Sequence, residues 1–272
     1  MEYFWKQYED LPAGIGYGRF STEHYLELLV IALAIALLLH LCLRTGERTQ
    51  RTVLRAVPLF MIGMELFKDA FLFVGGHFSV GYLPLHLCGL GAFVFLLFAI
   101  SERRGGSRNK GDACSGGVRA EHAPAARDPA FWAEIAFCLI LPGSIAALIY
   151  PDWAHLYPVW NFMNLYGLTW HALLVFYPLL LYFRGDAKPT IRHLHWNVLF
   201  LCCVVPPVYI FDKVFDCNYM FVNWPPKGTP LEALAAWMGV PGYLVGYAVI
   251  VLVILLLFYL AVAILQYCFN KQ

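Results

Sequence analysis

Charged residues are scarce in this chain: they make up 14% of its 272 residues, whereas hydrophobic residues make up 60%. A typical soluble domain is nearer half apolar and a quarter charged. The formal net charge is +1, so the overall charge points to no partner, and no nucleic-acid partner is expected. This composition excludes an ordinary soluble domain and predicts a protein that crosses the membrane several times.

Other features are missing as well. The eight cysteines include no CxxC pair of the metal-binding type, and most of them lie in apolar stretches, where cysteine is typically a small packing residue. A disulfide framework is therefore not predicted. Residues 1–20 lack the basic stretch and apolar core of a cleavable signal peptide, so insertion is expected to depend on the first membrane helix. No internal repeat is evident, which leaves an inverted-repeat transporter without support.

Long apolar stretches, by contrast, are abundant. A helix needs about 20 mostly apolar residues to cross a bilayer, and seven stretches qualify. They are residues 24–43, 53–74, 82–101, 131–150, 162–183, 193–213 and 242–268. The sixth contains Pro206-Pro207, which is expected to kink or break it. The sequence therefore predicts an all-α fold, with residues 1–272 forming a single domain of seven transmembrane helices.

The distribution of Lys and Arg predicts how these helices are oriented. The loops at 75–81 and 151–161 contain neither residue, whereas the connections after the first, third and fifth predicted helices are rich in them. Positively charged loops tend to stay in the cytoplasm, so the N-terminus is predicted outside and the C-terminus inside. The connection at 102–130 is rich in Gly, Ala and Ser, with mixed charge, and is predicted to be a flexible cytoplasmic loop.

Polar side chains fall mainly in the predicted outer halves of the helices. Ionisable groups at such a depth are costly to bury and indicate a functional site. We therefore expect a polar pocket near the outer leaflet, built from four helices. Its candidate residues are Glu65, Lys68, Asp69, His86, His171, Asp212, Asn218 and Tyr219. As an alternative, Glu65 and Lys68 form a structural ion pair one helical turn apart, which does not account for the two histidines.

His86 and Cys88 are an unusual pair near the start of the third predicted helix. Two residues apart on a regular helix, they point about 200° away from each other and would not face one pocket. A Cys–His nucleophile pair needs hydrogen-bond reach, so Cys88 qualifies only if the helix start is irregular. No metal site is predicted, since the helical His spacing of zincins is absent. The aromatic residues of the loop at 151–161, including Trp153 and Tyr157, are typical of a membrane-interface belt.

Three segments carry a resemblance to known proteins. Leu83–Cys88, Thr169–Val175 and Asn218–Phe221 resemble the bacterial YwaF-type family of integral membrane proteins with seven predicted spans. This family is similar in turn to the vertebrate transmembrane protein 164 acyltransferases, which have Glu-Val-x-Phe-Lys, Asn-Pro-Cys-His-Leu and Gln-His-Ala-Met-Leu segments. Those segments align with Glu65–Lys68, with Leu83–Leu87 and with Trp170–Leu174.

The resemblance implies transfer of acyl chains between phospholipids, in the bacterial cell membrane, through a cysteine nucleophile. Carried over to this chain, that cysteine falls on Leu85, the histidine after it on His86 and the second histidine on His171. Leucine cannot be a nucleophile. Either Cys88 takes this role, or His86 and His171 activate water or a lipid hydroxyl with help from Glu65 or Asp69, or this branch of the family has no activity.

The resulting prediction is a lipid-handling membrane enzyme, an acyltransferase or acyl hydrolase. Its predicted catalytic residues are His86, His171, Glu65 and Cys88. Its predicted substrate-binding residues are Lys68, Asp69, Asp212, Asn218 and Tyr219. The competing hypothesis is a non-catalytic transporter or receptor that binds a small polar or zwitterionic ligand in the same pocket. Membrane lipids are the expected partners, no cofactor is expected, and the oligomeric state is left open.

Overall fold

The computed structural model describes residues 2–111 and 128–269. In these two ranges the chain forms helices and no strand, which confirms the predicted all-α class. The helices are α1 (Thr22–Leu43), α2 (Glu47–Val74), α3 (Leu87–Gly111), α4 (Pro129–Ile135), α5 (Leu141–Ile149), α6 (Phe162–Arg184), α7 (Leu194–Phe215), α8 (Pro230–Met238) and α9 (Tyr243–Phe269).

Five helical stretches of the described chain are long and apolar enough to cross a membrane: α1, α4 with α5, α6, α7 and α9. The protein is therefore a multi-pass membrane protein. α2 does not meet this criterion because Glu65, Lys68 and Asp69 interrupt its apolar part. α3 has only the stretch Leu87–Ser101 before the charged Glu102, about 22 Å at the helical rise of 1.5 Å per residue. Seven spans and the orientation of the termini stay predictions.

α4 and α5 form one continuous helix through a π-helical segment, Ala136–Ile140, which is fully packed inside the bundle. The segment ends shortly before Pro142, whose ring would clash with the carbonyl of Cys138 in a regular α-helix. Widening the helix by one residue at this point relieves that clash, and π-bulges of this kind are a common answer to a strained helical sequence.

The core lies where α6 packs against α2, α3 and the π-helical segment. Tyr177 of α6 stacks on Phe95 of α3, with ring centroids 4.1 Å apart. Its hydroxyl donates to the carbonyls of Leu54 and Phe95, so a polar group is satisfied inside an apolar core. α1, α7 and α9 expose most of their apolar side chains, as expected of helices that face lipid.

Two irregular segments differ in part from what the sequence predicts. α7 runs through Pro206 and Pro207, so the helix is not broken there. Membrane helices tolerate proline when neighbouring groups satisfy the freed carbonyls. The predicted loop at 102–130 begins as helix, because α3 continues to Gly111, and its last residues start α4. Residues 112–127, the rest of that predicted loop, lie outside the described residues.

Candidate functional site

A cavity of about 300 Å³ opens at the end of the bundle that the charge pattern assigns to the outside. It lies between α2, the start of α3 and α6, beneath the loop at 151–161 and the N-terminal segment. Five of the predicted site residues line it: Glu65, Lys68, His86, Cys88 and His171. Much of the remaining lining is aromatic. These side chains are Tyr8, Tyr82, Trp153, Tyr157, Tyr166 and Trp170.

The start of α3 is irregular, and this brings His86 and Cys88 to the same cavity. α3 begins at Leu87 and not at residue 82, as the apolar pattern predicts. His86 therefore precedes the helix, and its carbonyl accepts the N–H of Leu90 at 3.0 Å. On a regular helix the two side chains would point apart, but His86 lies before the helix, so this geometry does not apply. Cys88, the second residue of α3, lines the cavity together with His86.

Gly89 makes this irregular start possible. Pro84 lies in a tight turn closed by a 2.8 Å hydrogen bond from the Leu85 N–H to the Leu83 carbonyl. This turn packs against the first turn of α3, and a Cβ atom at position 89 would lie 2.6 Å from the Pro84 carbonyl oxygen. Real Cβ atoms do not approach a backbone atom so closely, so any other residue at this position would push the segment before the helix away.

His171 is held in one tautomer. Its Nδ1 lies 2.8 Å from the carbonyl oxygen of Gly167, and a carbonyl can only accept, so Nδ1 carries the hydrogen. The Nε2 atom then has a free lone pair, and within the described chain it has no protein partner. The imidazole stacks on the indole of Trp153, with centroids 5.0 Å apart and planes 14° apart, and the residue is buried. This geometry gives the cavity a fixed hydrogen-bond acceptor that can serve as a general base.

His86 is held in the opposite tautomer. Its Nδ1 accepts the backbone N–H of Met220 at 3.2 Å, so the hydrogen of the neutral ring is on Nε2. The ring packs against Tyr219 and Phe221, at centroid distances of 4.9 and 5.9 Å. Met220 and Phe221 both have positive φ angles, 52° and 58°, which are uncommon for such side chains and often accompany a functional constraint. His86 can therefore donate a hydrogen bond where His171 can accept one.

Lys68 is surrounded by acceptors of the protein itself. Its Nζ lies 2.6 Å from Glu65 Oε1, 2.7 Å from the carbonyl oxygen of Tyr82 and 3.2 Å from Asp69 Oδ1. The other carboxylate oxygen of Glu65 accepts a hydrogen bond from the hydroxyl of Tyr166. Lys68 thus ties α2 to the segment before α3 through two hydrogen bonds, while its contact with Asp69 is an ion pair without a hydrogen bond. This fits the structural ion pair considered above. Two carboxylates and one ammonium leave this cluster with one net negative charge.

The other predicted substrate-binding residues do not line the cavity. Asp69 forms an ion pair with Lys68 but is not part of the cavity wall. The ring of Tyr219 packs against the imidazole of His86 and is not part of the wall either. Asn218 accepts the backbone N–H groups of Asn223 and Trp224 and so shapes the turn that carries Met220. Asp212 is fully buried at the end of α7, where its backbone carbonyl accepts from the Asn223 side chain. Asp212 and Asn218 thus shape the loop that orients His86.

Several cavity residues escape prediction from the sequence. Trp153 and Tyr157, predicted to form part of an interface belt, lie in the cavity wall instead. Tyr166 and Trp170 are four residues apart on the helix that carries His171 and stack on each other, a spacing that could have indicated them. Tyr8 gives no such signal, because it reaches the cavity through contacts distant in sequence. In the described part of the chain, no three His, Cys, Asp or Glu side chains are grouped closely enough to hold a metal ion.

Comparison with known proteins assigns the chain to a family. No curated protein and no solved structure matches the chain. The model of the TMEM164 family matches residues 19–259, a range that includes every residue of the cavity wall except Tyr8. The resemblance to the vertebrate proteins is thereby confirmed, while the likeness to the YwaF-type family stays a prediction. The chain belongs to the TMEM164 family.

Proposed function

We propose that this protein moves acyl chains of membrane phospholipids, with Cys88 as the nucleophile and His171 as the general base. The observation that carries this proposal is that Cys88, His86 and His171 line one cavity. Leu85, at the position where the resemblance puts the cysteine of the vertebrate proteins, does not line it and packs against the separate apolar cluster around Tyr219. Membership of the family is compatible with a role in membrane lipid metabolism.

The position of Cys88 on α3 suits a nucleophile. The N–H groups of Cys88 and Gly89 lie in the first turn of α3, where a helix has no backbone acceptors of its own, and both hydrogen-bond the Cys88 sulfur. Such N–H groups and the positive end of the helix dipole stabilise a thiolate. They also stabilise an oxyanion that forms beside it, and the Nε2–H of His86 adds a further donor to the cavity.

In the first half of the proposed reaction, Nε2 of His171 accepts the proton of the Cys88 thiol. The sulfur attacks the ester carbonyl of a phospholipid, and the N–H groups of Cys88 and Gly89 with His86 stabilise the tetrahedral oxyanion. The carbon–oxygen ester bond then breaks. The released lysophospholipid oxygen takes the proton from His171, and the acyl chain stays on Cys88 as a thioester.

In the second half, an acceptor hydroxyl attacks this thioester and gives its proton to His171. The carbon–sulfur bond breaks, and the thiolate takes the proton back as the thiol. A lysophospholipid acceptor completes an acyl transfer, whereas water releases a free fatty acid. The sequence of steps is the same in both cases, so a transferase and a hydrolase differ only in what enters the cavity.

The charge and lining of the cavity favour a zwitterionic headgroup. The cluster of Glu65, Lys68 and Asp69 carries one net negative charge, and the ammonium of Lys68 is already paired with both carboxylates. Aromatic rings in the wall, such as that of Tyr82, attract ammonium groups. At about 300 Å³ the cavity is at the lower end of the range for ligand sites. It therefore suits the polar and ester region of a lipid, with the acyl chains left in the bilayer.

An acyl-exchange assay tests the proposal. Purified protein is placed in vesicles of phosphatidylcholine that carries one isotopically labelled acyl chain, together with an unlabelled lysophospholipid. Mass spectrometry follows the label into the acceptor lipid, into free fatty acid and onto Cys88. We expect Cys88→Ser and His171→Gln to lower the rate about 100-fold or more. Cys202→Ser, which changes an exposed cysteine of α7, is expected to leave it unchanged.

The same assay separates the alternatives. Full activity of Cys88→Ser with loss of activity in His171→Gln would rule out the thiol and favour histidines that activate water or a lipid hydroxyl directly. A folded wild-type protein that binds the lipid but neither transfers nor releases its acyl chain would overturn the enzyme proposal. That result would favour a receptor or transporter of zwitterionic lipid. Vesicles of phosphatidylglycerol, an anionic lipid, are expected to support a slower reaction.

A further inference from the structure

We propose that Asn164 is a positioning residue for His171 and that it acts through Trp153. The consequence for catalysis rests on the function proposed above, whereas the effect on the imidazole itself can be measured without any activity. Asn164 lies on α6 seven residues before His171, on the same side of the helix, and is fully buried. It does not line the cavity, so it can influence the site only through its neighbours.

Glu27 of α1 fixes the orientation of the Asn164 amide. Asn164 Nδ2 lies 2.9 Å from Glu27 Oε1 and 3.0 Å from the carbonyl oxygen of Val159, and both are acceptors. The hydroxyl of Tyr17 donates to the other oxygen of Glu27, so the carboxylate is held in place. Since a carboxylate and a carbonyl can only accept, the NH₂ end of the amide must face them. The amide oxygen is then turned the other way.

This oxygen holds Trp153. Asn164 Oδ1 accepts the indole Nε1–H of Trp153 at 3.1 Å. Because an indole nitrogen can only donate, the amide must present its oxygen to Trp153. Gly167 leaves room for the ring: a Cβ atom at this position would lie 3.0 Å from Trp153 Cε2. The indole therefore sits directly over the backbone of α6, and its plane is set by a hydrogen bond at one edge and by this close contact beneath it.

Trp153 in turn fixes the plane of the imidazole. Its ring is stacked almost parallel to that of His171, 14° apart, while Gly167 provides the carbonyl that accepts from Nδ1. One residue, Gly167, thus makes space for the indole and also sets the tautomer. If the indole tilts, the imidazole can rotate away from this carbonyl, and its hydrogen can move to Nε2. Asn164 therefore keeps the lone pair of His171 on the atom that must accept a proton.

The test is the tautomer of His171, measured by NMR on protein that carries ¹⁵N-labelled histidine, with the signal assigned by its loss in His171→Gln. In the wild type we expect the Nδ1–H form alone. In Asn164→Ala we expect a mixture of both tautomers. The matched control is Asn197→Ala, which removes another fully buried asparagine, one that donates to Tyr259 at the opposite end of the bundle. It is expected to leave the His171 signal unchanged.

A second variant guards against a general loosening of the fold. Trp153→Phe keeps an aromatic ring against the imidazole but has no N–H for Asn164, so it is expected to give the same mixture of tautomers. If His171 stays in the pure Nδ1–H form in both folded variants, Asn164 only ties α1 to α6 and the proposal is wrong. Where the acyl-exchange assay shows activity, Asn164→Ala should lower kcat about 10-fold to 100-fold with little change in KM. Absence of exchange in the wild type would leave the NMR result standing.

Discussion

At the scale of single residues, the site depends on buried groups that have no simple substitute. Lys68 and Glu65 are both buried on α2, where they form an ion pair. The pair is recognisable from its spacing in the sequence. The identity of its third partner, the carbonyl of Tyr82, is not, because that contact depends on how the chain returns after α2.

Replacing Lys68 tests this structural role. We expect Lys68→Met to lower the free energy of unfolding by about 3–5 kcal/mol, because it leaves the carboxylate of Glu65 buried without its cation. The measurement is unfolding in mixed detergent micelles. The double variant Lys68→Met with Glu65→Gln should recover a large part of this loss, since no unpaired charge is left at Glu65. Equal instability of the single and double variants would contradict the interpretation of Lys68 as part of a structural pair.

At the scale of elements, the N-terminal segment before α1 covers the cavity. Asn161 Nδ2 donates to the carbonyls of Tyr3 and Lys6 at 2.7 and 2.8 Å, which places Tyr8 in the cavity wall. The hydroxyl of Tyr157 donates to Gln7, and burial raises the pKa of Tyr157, so this donor stays protonated. Most of this segment precedes residue 19, where the family match begins.

Loosening this segment should expose the cavity. In a variant with Cys88 as its only cysteine, we expect Asn161→Ala to raise the rate at which a water-soluble maleimide labels Cys88 several-fold. The reason is that the backbone around Tyr3 and Lys6 loses both side-chain bonds that hold it to α6. Mass spectrometry of the labelled protein gives the rate. Asn197→Ala serves as the matched control, and an unchanged rate in Asn161→Ala would show that the segment does not limit access.

The elements also show what could be predicted from the sequence and what could not. The apolar stretches at 162–183 and 242–268 are predicted to be helices, and the structure has helices at Phe162–Arg184 and Tyr243–Phe269. These predictions succeed because composition alone defines a long apolar helix. The start of α3 is different, since Leu83–Leu87 is as apolar as a helix, yet Pro84, packed on Gly89, keeps it irregular. The cavity follows from that irregularity. The sequence therefore indicates several residues of the cavity, but it does not show that His86 and Cys88 both line the cavity.

At the scale of the whole molecule, distant parts of the chain meet at one site. Asn164 on α6 contacts Glu27 on α1 and Trp153 in the loop at 151–161. The turn at Met220 contacts His86, which is distant from it in the sequence. Such contacts cannot be deduced from local patterns. The cavity and these contacts lie at the end of the bundle that the Lys and Arg pattern assigns to the outside, so the orientation decides which leaflet the cavity faces.

Orientation can be measured by labelling single cysteines in intact cells. We expect Ser79→Cys, in the connection between α2 and α3, to react with a maleimide that does not cross membranes. Arg48→Cys, at the start of α2, should react only after the membrane is permeabilised, because positively charged connections stay in the cytoplasm. The two positions lie at opposite ends of the same helix, which makes them a matched pair. The reverse pattern would invert the predicted topology and move the cavity to the inner leaflet.

The shortness of α3 has a consequence for the bilayer itself. The hydrocarbon core is about 30 Å thick, and the apolar part of α3 covers about 22 Å. A helix that is too short for its surroundings draws the bilayer thinner around it. We expect the two leaflets to approach each other beside α3, by about 8 Å in total if thinning alone compensates for the difference. The ester groups of nearby lipids would then descend to the level of Cys88, and a lipid could meet the thiol without leaving the membrane.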